Sequence, residues 1–153
     1  MTLEEAIQQK QFKSEYQKLA INLLYTSSWL NQINTQSIRP FGITWQQFNI
    51  LRILRGRHPE PATVKLLTER MIDKMSNASR LVDKLVKKGY VERRICPGDR
   101  RRVDIVLTEA GIAMLDEASA SLEGKMFAQF RSLSNEEAAQ MNRLLDQLRT
   151  DDA

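Results

Sequence analysis

Apolar residues recur at three- and four-residue intervals from about Glu4 to Asn34. Phe12, Tyr16, Leu19, Leu23 and Leu30 form the stripe, with Ala20 and Leu24 beside it. That period predicts one amphipathic helix, long for a globular protein and with little to pack against along its N-terminal part. Arg39-Pro40-Phe41-Gly42 ends it, because proline removes a donor and glycine loosens the backbone. Thr44 then opens a second helix, and Gln47 at its third position completes a capping box. Trp45, Phe48, Leu51 and Leu54 make its buried stripe, and the segment from Gly56 to Pro61 closes it.

Thr63 caps a short third helix, Val64 to about Met71, with Val64, Leu67 and Met71 inward. A turn through Ile72 leads to Asp73, the expected N-cap of a fourth helix running from Lys74 to Lys88. Two helices joined so closely form a helix-turn-helix pattern. At 100° per residue, Ala78, Leu81, Val82 and Leu85 share one face of the fourth helix. Ser76, Arg80, Asp83 and Lys87 lie opposite, and Asn77, Ser79 and Lys84 flank them. Gly89 suits a left-handed terminator. Alternating β-formers then predict strands over Tyr90–Ile95 and Val103–Leu107, with Pro97-Gly98-Asp99 as the turn. Thr108 starts a fifth helix carrying Ile112, Leu115, Leu122, Met126 and Phe130. Ser134 with Glu137 is a second capping box, opening a sixth helix with Met141, Leu144, Leu145 and Leu148. The pattern contains no repeat or linker, so residues 1–153 read as one domain, mainly α with a small two- or three-stranded antiparallel wing.

Charge sharpens the picture. The 153 residues carry a formal net charge of +4. Between Lys74 and Arg102 stand ten basic residues against three acidic ones, so the remainder is slightly acidic. Three consecutive arginines, Arg100, Arg101 and Arg102, adjoin the hairpin turn. Concentrated positive charge on a helix and a hairpin points to phosphate neutralisation on nucleic acid. Arginine pairs bidentately with guanine and asparagine with adenine, which makes Ser76, Asn77, Ser79 and Arg80 the base-reading group. Lys74, Lys84 and Lys87 suit phosphates. A tip arginine suits a narrow minor groove; Arg93 and Arg94 either add backbone contacts or flank the sheet.

Catalytic chemistry is scarce. One histidine, His58, and one cysteine, Cys96, exclude a His/Cys-rich metal cluster within the chain. A glycine-rich phosphate loop and a nucleophile elbow are both missing. The carboxylate pairs Glu4/Glu5, Asp116/Glu117 and Glu136/Glu137 fall on solvated helix faces. The expectation is a non-enzyme with no metal and no cofactor. No apolar run approaches the ~20 residues that cross a bilayer, and the N-terminus lacks the features of a signal peptide. With a lone cysteine, these features lead us to expect a cytoplasmic protein that does not partner with membranes.

Three motifs in order now carry a resemblance. Gly42-Ile43-Thr44-x-x-Gln47-Phe48 opens the second helix. Ser79-Arg80-Leu81-Val82-Asp83-Lys84-Leu85-x-x-x-Gly89-Tyr90-Val91-Glu92-Arg93 runs from the fourth helix into a strand. Asp99-x-Arg101 precedes Leu107-Thr108-x-x-Gly111. Together they resemble the MarR-type winged helix-turn-helix transcriptional regulators. One departure is Ile72, where many members carry glycine. The resemblance implies a DNA-binding lobe over about 42–111 and long N- and C-terminal dimerisation helices over about 4–36 and 109–150. It also implies a homodimer on double-stranded DNA, repressing or activating nearby genes and often released by a small aromatic ligand. By family position Arg101 is the leading wing residue, oriented by Asp99 through a salt bridge, with Arg94, Arg100 and Arg102 beside it.

The terminal helices support the dimer independently, since they carry more apolar surface than one small lobe covers. Trp29 and Trp45 read as core, and with His58 they are the weak candidates for an effector pocket. Cys96 reads as a passive small residue, with an oxidant-sensing role as the lesser reading. The alternative function is a winged-helix module for protein–protein contact. A basic wing counts against it.

Overall fold

The computed structural model describes residues 1–150. Seven α-helices and one hairpin follow in order: α1 Leu3–Ile7, α2 Glu15–Ile38, α3 Trp45–Arg57, α4 Val64–Arg70, α5 Ala78–Lys87, β1 Val91–Cys96, β2 Asp99–Leu107, α6 Glu109–Phe130 and α7 Asn135–Leu148. A 3-10 turn, Arg39–Phe41, separates α2 from α3 and ends at Gly42.

The single N-terminal helix expected over 4–34 is two helices. Gln8 adopts a left-handed conformation at φ 54° and ends α1, and Ser14 restarts the chain by accepting from Gln17 N at 3.1 Å. Seven residues between them are mostly polar, so periodicity alone gave no sign of the break. Leu3 is buried, and Glu4 pairs with Lys18 to hold α1 against α2. That hydrogen bond holds the Glu4 carboxyl below its usual range and Lys18 above its own. A depressed carboxylate loses its stabilisation as acid protonates it and a raised ammonium loses its own as alkali deprotonates it, so this latch holds through neutral pH and loosens at either extreme.

Four of the expected caps, Thr44, Thr63, Thr108 and Ser134, stand at their expected positions. Thr44 Oγ1 accepts from Gln47 N at 3.1 Å while Gln47 Oε1 accepts from Thr44 N at 3.0 Å. Ser134 and Glu137 repeat the arrangement, and Thr63 and Thr108 cap α4 and α6. Each satisfies orphan amides at a helix start, worth about 1 kcal/mol.

One core runs from Ile38 to Ala118. Phe48, Ile50, Leu51 and Leu54 of α3 meet Leu67 and Met71, Val82 and Leu85 of α5, Val91 and Ile105 of the hairpin, and Leu115 and Ala118 of α6. The wing has two strands; a third is represented by one bridge, in which Ala62 and Ile105 exchange backbone hydrogen bonds of 3.0 and 2.7 Å.

The N-terminus of α6 docks on the end of the recognition segment. Thr108 donates its hydroxyl to Gly89 O at 2.6 Å and its amide to Tyr90 O at 3.1 Å. Gly111 faces that same carbonyl, so closely that a Cβ there would lie 2.1 Å from Tyr90 O. This explains why Leu107-Thr108-x-x-Gly111 needs its glycine.

Outside the core the picture reverses. Of α2 only Ser37 and Ile38 are buried, and no described residue of α7 is. Trp29, expected in the core, is 38% exposed on α2. Trp45 is half-buried and stacks on Phe48 with ring centroids 5.4 Å apart.

Candidate nucleic-acid interface

The helix expected from Lys74 begins at Ala78. Asn77 is its N-cap, with Oδ1 accepting from Arg80 N at 3.1 Å. Asp73 instead caps the preceding turn, accepting from Met75 N at 3.0 Å on its side chain and from Ser76 N at 3.1 Å on its carbonyl. Both are Asx residues with a run of hydrogen-bonding positions after them, and the sequence alone did not rank them. The displacement matters, because Lys74, Ser76 and Asn77 belong to the turn and only Ser79, Arg80, Lys84 and Lys87 to the helix.

The helix itself keeps the predicted faces. Ala78, Val82 and Leu85 are buried and Leu81 is half-buried, whereas Ser79, Arg80, Asp83, Lys84 and Lys87 are exposed. Lys74 is turned back onto the Glu69 carbonyl at the end of α4. Lys88 reaches the Gly42 carbonyl, so it fastens the helix end to the body. A shallow depression of about 250 Å³ opens at the helix start, lined by Gln46, Asp73, Ser76, Asn77, Arg80, Leu81 and Lys84. Ser76 Oγ on its wall is buried and has no hydrogen-bond partner among the described residues. Gln46 was not foreseen; only its place at the start of α3, beside the capping box, could have signalled it.

The hairpin is tied to the helix. Arg93 of β1 pairs with Asp83 of α5, which fixes the wing against the exposed side of that helix. The wing tip departs from the expected turn. β2 starts at Asp99, only Pro97 and Gly98 form the connection, and Cys96 pairs with Asp99 while Ile95 pairs with Val103. Arg100, Arg101 and Arg102 are therefore the extra residues of a bulge, pushed out of the regular ladder.

The expected Asp99–Arg101 salt bridge is absent among the described residues. Asp99 Oδ1 accepts from the Arg101 backbone amide at 2.9 Å, so it shapes the bulge and leaves the guanidinium unpaired. Other wing arginines are engaged. Arg94 meets Glu92 at 3.1 Å, and Arg102 meets Asp104 at 2.9 Å. The Asp104 carboxylate raises the Arg102 pKa further. Arg100 and Arg101 have no carboxylate partner among the described residues, which leaves two free cations at the tip.

His58 is exposed at the end of α3, and neither it nor the two tryptophans line the depression at α5. Cys96 is a half-buried free thiol next to the bulge. Among the described residues no group of three or more His, Cys, Asp or Glu side chains could hold a metal ion, and no helix is long and apolar enough to cross a membrane.

A family model described as MarR family matches residues 43–103, which run from the start of α3 through the wing. The winged-helix segment of the chain is thus similar to the MarR family. An uncharacterised HTH-type transcriptional regulator of Bacillus cereus is 29% identical over 121 residues, 79% of each chain. The transcriptional repressor MprA of Escherichia coli is 26% identical over 135 residues, 87% of this chain and 77% of that one. A mutant MarR of Escherichia coli, solved in complex with operator DNA, superimposes with a TM-score of 0.77 at 23% identity, covering 92% of this chain and 99% of that one. At that identity the last likeness is one of fold. The likeness of this segment to the MarR family, and of most of the chain to transcriptional regulators, favours a DNA-binding transcriptional regulator over a protein–protein module without DNA.

Proposed function

We propose that this MarR-like regulator acts as a homodimeric repressor on a pseudo-palindromic operator, reading base edges with the start of α5 and gripping the backbone and minor groove with the wing. One observation carries the reading. The Asp83–Arg93 pair joins an exposed cationic helix face to a hairpin whose bulge holds the unpaired Arg100 and Arg101. In this arrangement Ser79, Arg80 and the cap residue Asn77 face bases. Lys84 and Lys87 neutralise phosphates, as does Arg80 where it misses a guanine. The Ser76 hydroxyl, buried and without a partner among the described residues, lies beneath this face and not on it. Lys74 and Arg102 serve chiefly by shaping the turn and the bulge, since their charges are already engaged.

The second copy is supported by apolar surface that one chain leaves open. Leu24 is 73% and Phe127 80% exposed, and Leu144 and Leu148 stand out along α7. Pairing two such surfaces about a two-fold axis sets two winged lobes over half-sites about one helical turn apart. The repressor assignment is supported by the likeness to MprA. An aromatic effector is supported by Trp29, exposed on α2, and by the half-buried Trp45 at the edge of the core. The protein would then work in the cytoplasm, where its operator is.

Selection of bound duplexes from a random pool, followed by a salt titration on the winner, tests the proposal. A pseudo-palindrome with half-site centres about 10 bp apart and a steep loss of affinity with salt are expected. Equal binding to all sequences would overturn it.

A further inference from the structure

The turn that delivers α5 is a short bridge between two buried anchors, Met71 and Ala78. Three polar clasps hold it. Asp73 collects the amides of Met75 and Ser76, and Asn77 caps Arg80; both are local to the turn. The third comes from elsewhere. Asn49 of α3 accepts from the Ile72 amide through Oδ1 at 2.9 Å, across 23 positions of sequence.

Asn49 is out of place by any hydrophobic rule. It is 4% exposed, and its neighbours Phe48, Ile50 and Leu51 are all fully buried core residues. A buried amide is expensive unless it is hydrogen-bonded, and an apolar side chain would fill this position at less cost. Ile72 is also the position where the sequence departs from the glycine common in the resembling family. Its side chain stands 64% exposed while its amide is held from the core.

We infer that Asn49 is a positioning residue for DNA recognition: by holding the Ile72 amide it fixes the turn to α3 and so sets the angle at which the first turn of α5 enters the groove. Asn49 touches no base or phosphate in this scheme. It acts through the turn, and the inference rests on α5 being the recognition helix. A site tuned by placement loses discrimination when its supporting shell loosens by a fraction of an ångström. Non-specific attraction, set by charge, is unaffected by such a shift.

The test uses the full-length protein with two probes, the duplex recovered by random-pool selection and a scrambled duplex of equal composition. The readout is the ratio of the two affinities, which is insensitive to the fraction of protein that is folded. Asn49→Leu removes the acceptor while keeping a branched side chain, and Asn49→Asp keeps it; Asn49→Ala, also without a side-chain acceptor, stands in where Asn49→Leu does not fold. The specific-to-scrambled ratio should fall at least about ten-fold in Asn49→Leu or Asn49→Ala, with scrambled-duplex affinity and salt slope unchanged, and recover in Asn49→Asp. An unchanged ratio in the acceptor-free variant would overturn the inference, as would an equal loss in Asn49→Asp. If the unmodified protein itself shows no preference for any duplex, the proposed function fails first and separately.

Discussion

The lobe from Ile38 to Ala118 and the helices outside it follow opposite rules of construction. Inside, Phe48, Leu51, Leu67, Val82, Ile105 and Leu115 close a core with almost no access to solvent. Outside, Tyr16, Leu24, Phe127, Leu144 and Leu148 carry equally apolar side chains into water. The lobe is finished by its own residues, whereas α2, the end of α6 and α7 leave their apolar stripes open. A single chain can therefore hold a DNA-reading surface in shape. It cannot bury its scaffold.

The largest effect should come from attacking the unfinished half. Leu144→Asp combined with Leu148→Asp places two unpaired carboxylates on the proposed seam. Each should cost about 2 kcal/mol or more of association free energy, together a dimer dissociation constant weakened by roughly 1,000-fold. Sedimentation should show monomers at micromolar concentration, with helical content in the far ultraviolet largely kept because the lobe folds on its own core. A variant that stays dimeric would put the seam elsewhere on the scaffold.

The finished half is most sensitive at its tightest contact. A Cβ at position 111 would meet the Tyr90 carbonyl carbon at 3.0 Å as well as its oxygen; both are backbone atoms, and the oxygen already accepts from the Thr108 amide. Neither can swing aside like a flexible side chain. Gly111→Ala should lower unfolding stability by roughly 3 kcal/mol, read from urea denaturation. The same change at Gly124 of α6, where nothing lies within 4 Å, should be neutral or slightly stabilising.

The same contrast explains what was legible in the sequence. Inside the lobe, local rules and the core agree: the Thr44–Gln47 box, the left-handed Gly89 at φ 78° and the buried face of α5 all stand where periodicity and capping place them. Periodicity also found the apolar stripe of α2. It does not say whether a stripe is covered by the same chain, and so Trp29, core-like by its period, stands exposed. The start of α5 was misplaced because Asp73 and Asn77 offer the same local chemistry, and choosing between them depends on Met71 and Ala78 being buried. Two features had no local signal. The bulge depends on a register shift within the hairpin that alternation does not encode, and the buried Asn49 looks in sequence like one more polar position on a helix.

The finest distinction concerns arginines that look alike in sequence. Arg94 and Arg102 each lie beside a carboxylate two residues away, while Arg100 and Arg101 project from the bulge without one. A phosphate or a narrow groove competes with an existing ion pair for the first kind and meets the second already free. Exposed pairs contribute only about 0–1 kcal/mol, so the competition is mild, but it subtracts from whatever DNA offers. Arg101→Ala should weaken operator binding by about 1–3 kcal/mol, and Arg94→Ala by less than about 1 kcal/mol. Titrating both variants on the selected duplex at two salt concentrations separates them. Equal losses would mean that the pairs seen in the free protein open on binding, and that charge density at the tip, rather than the bulge that frees Arg101, does the gripping.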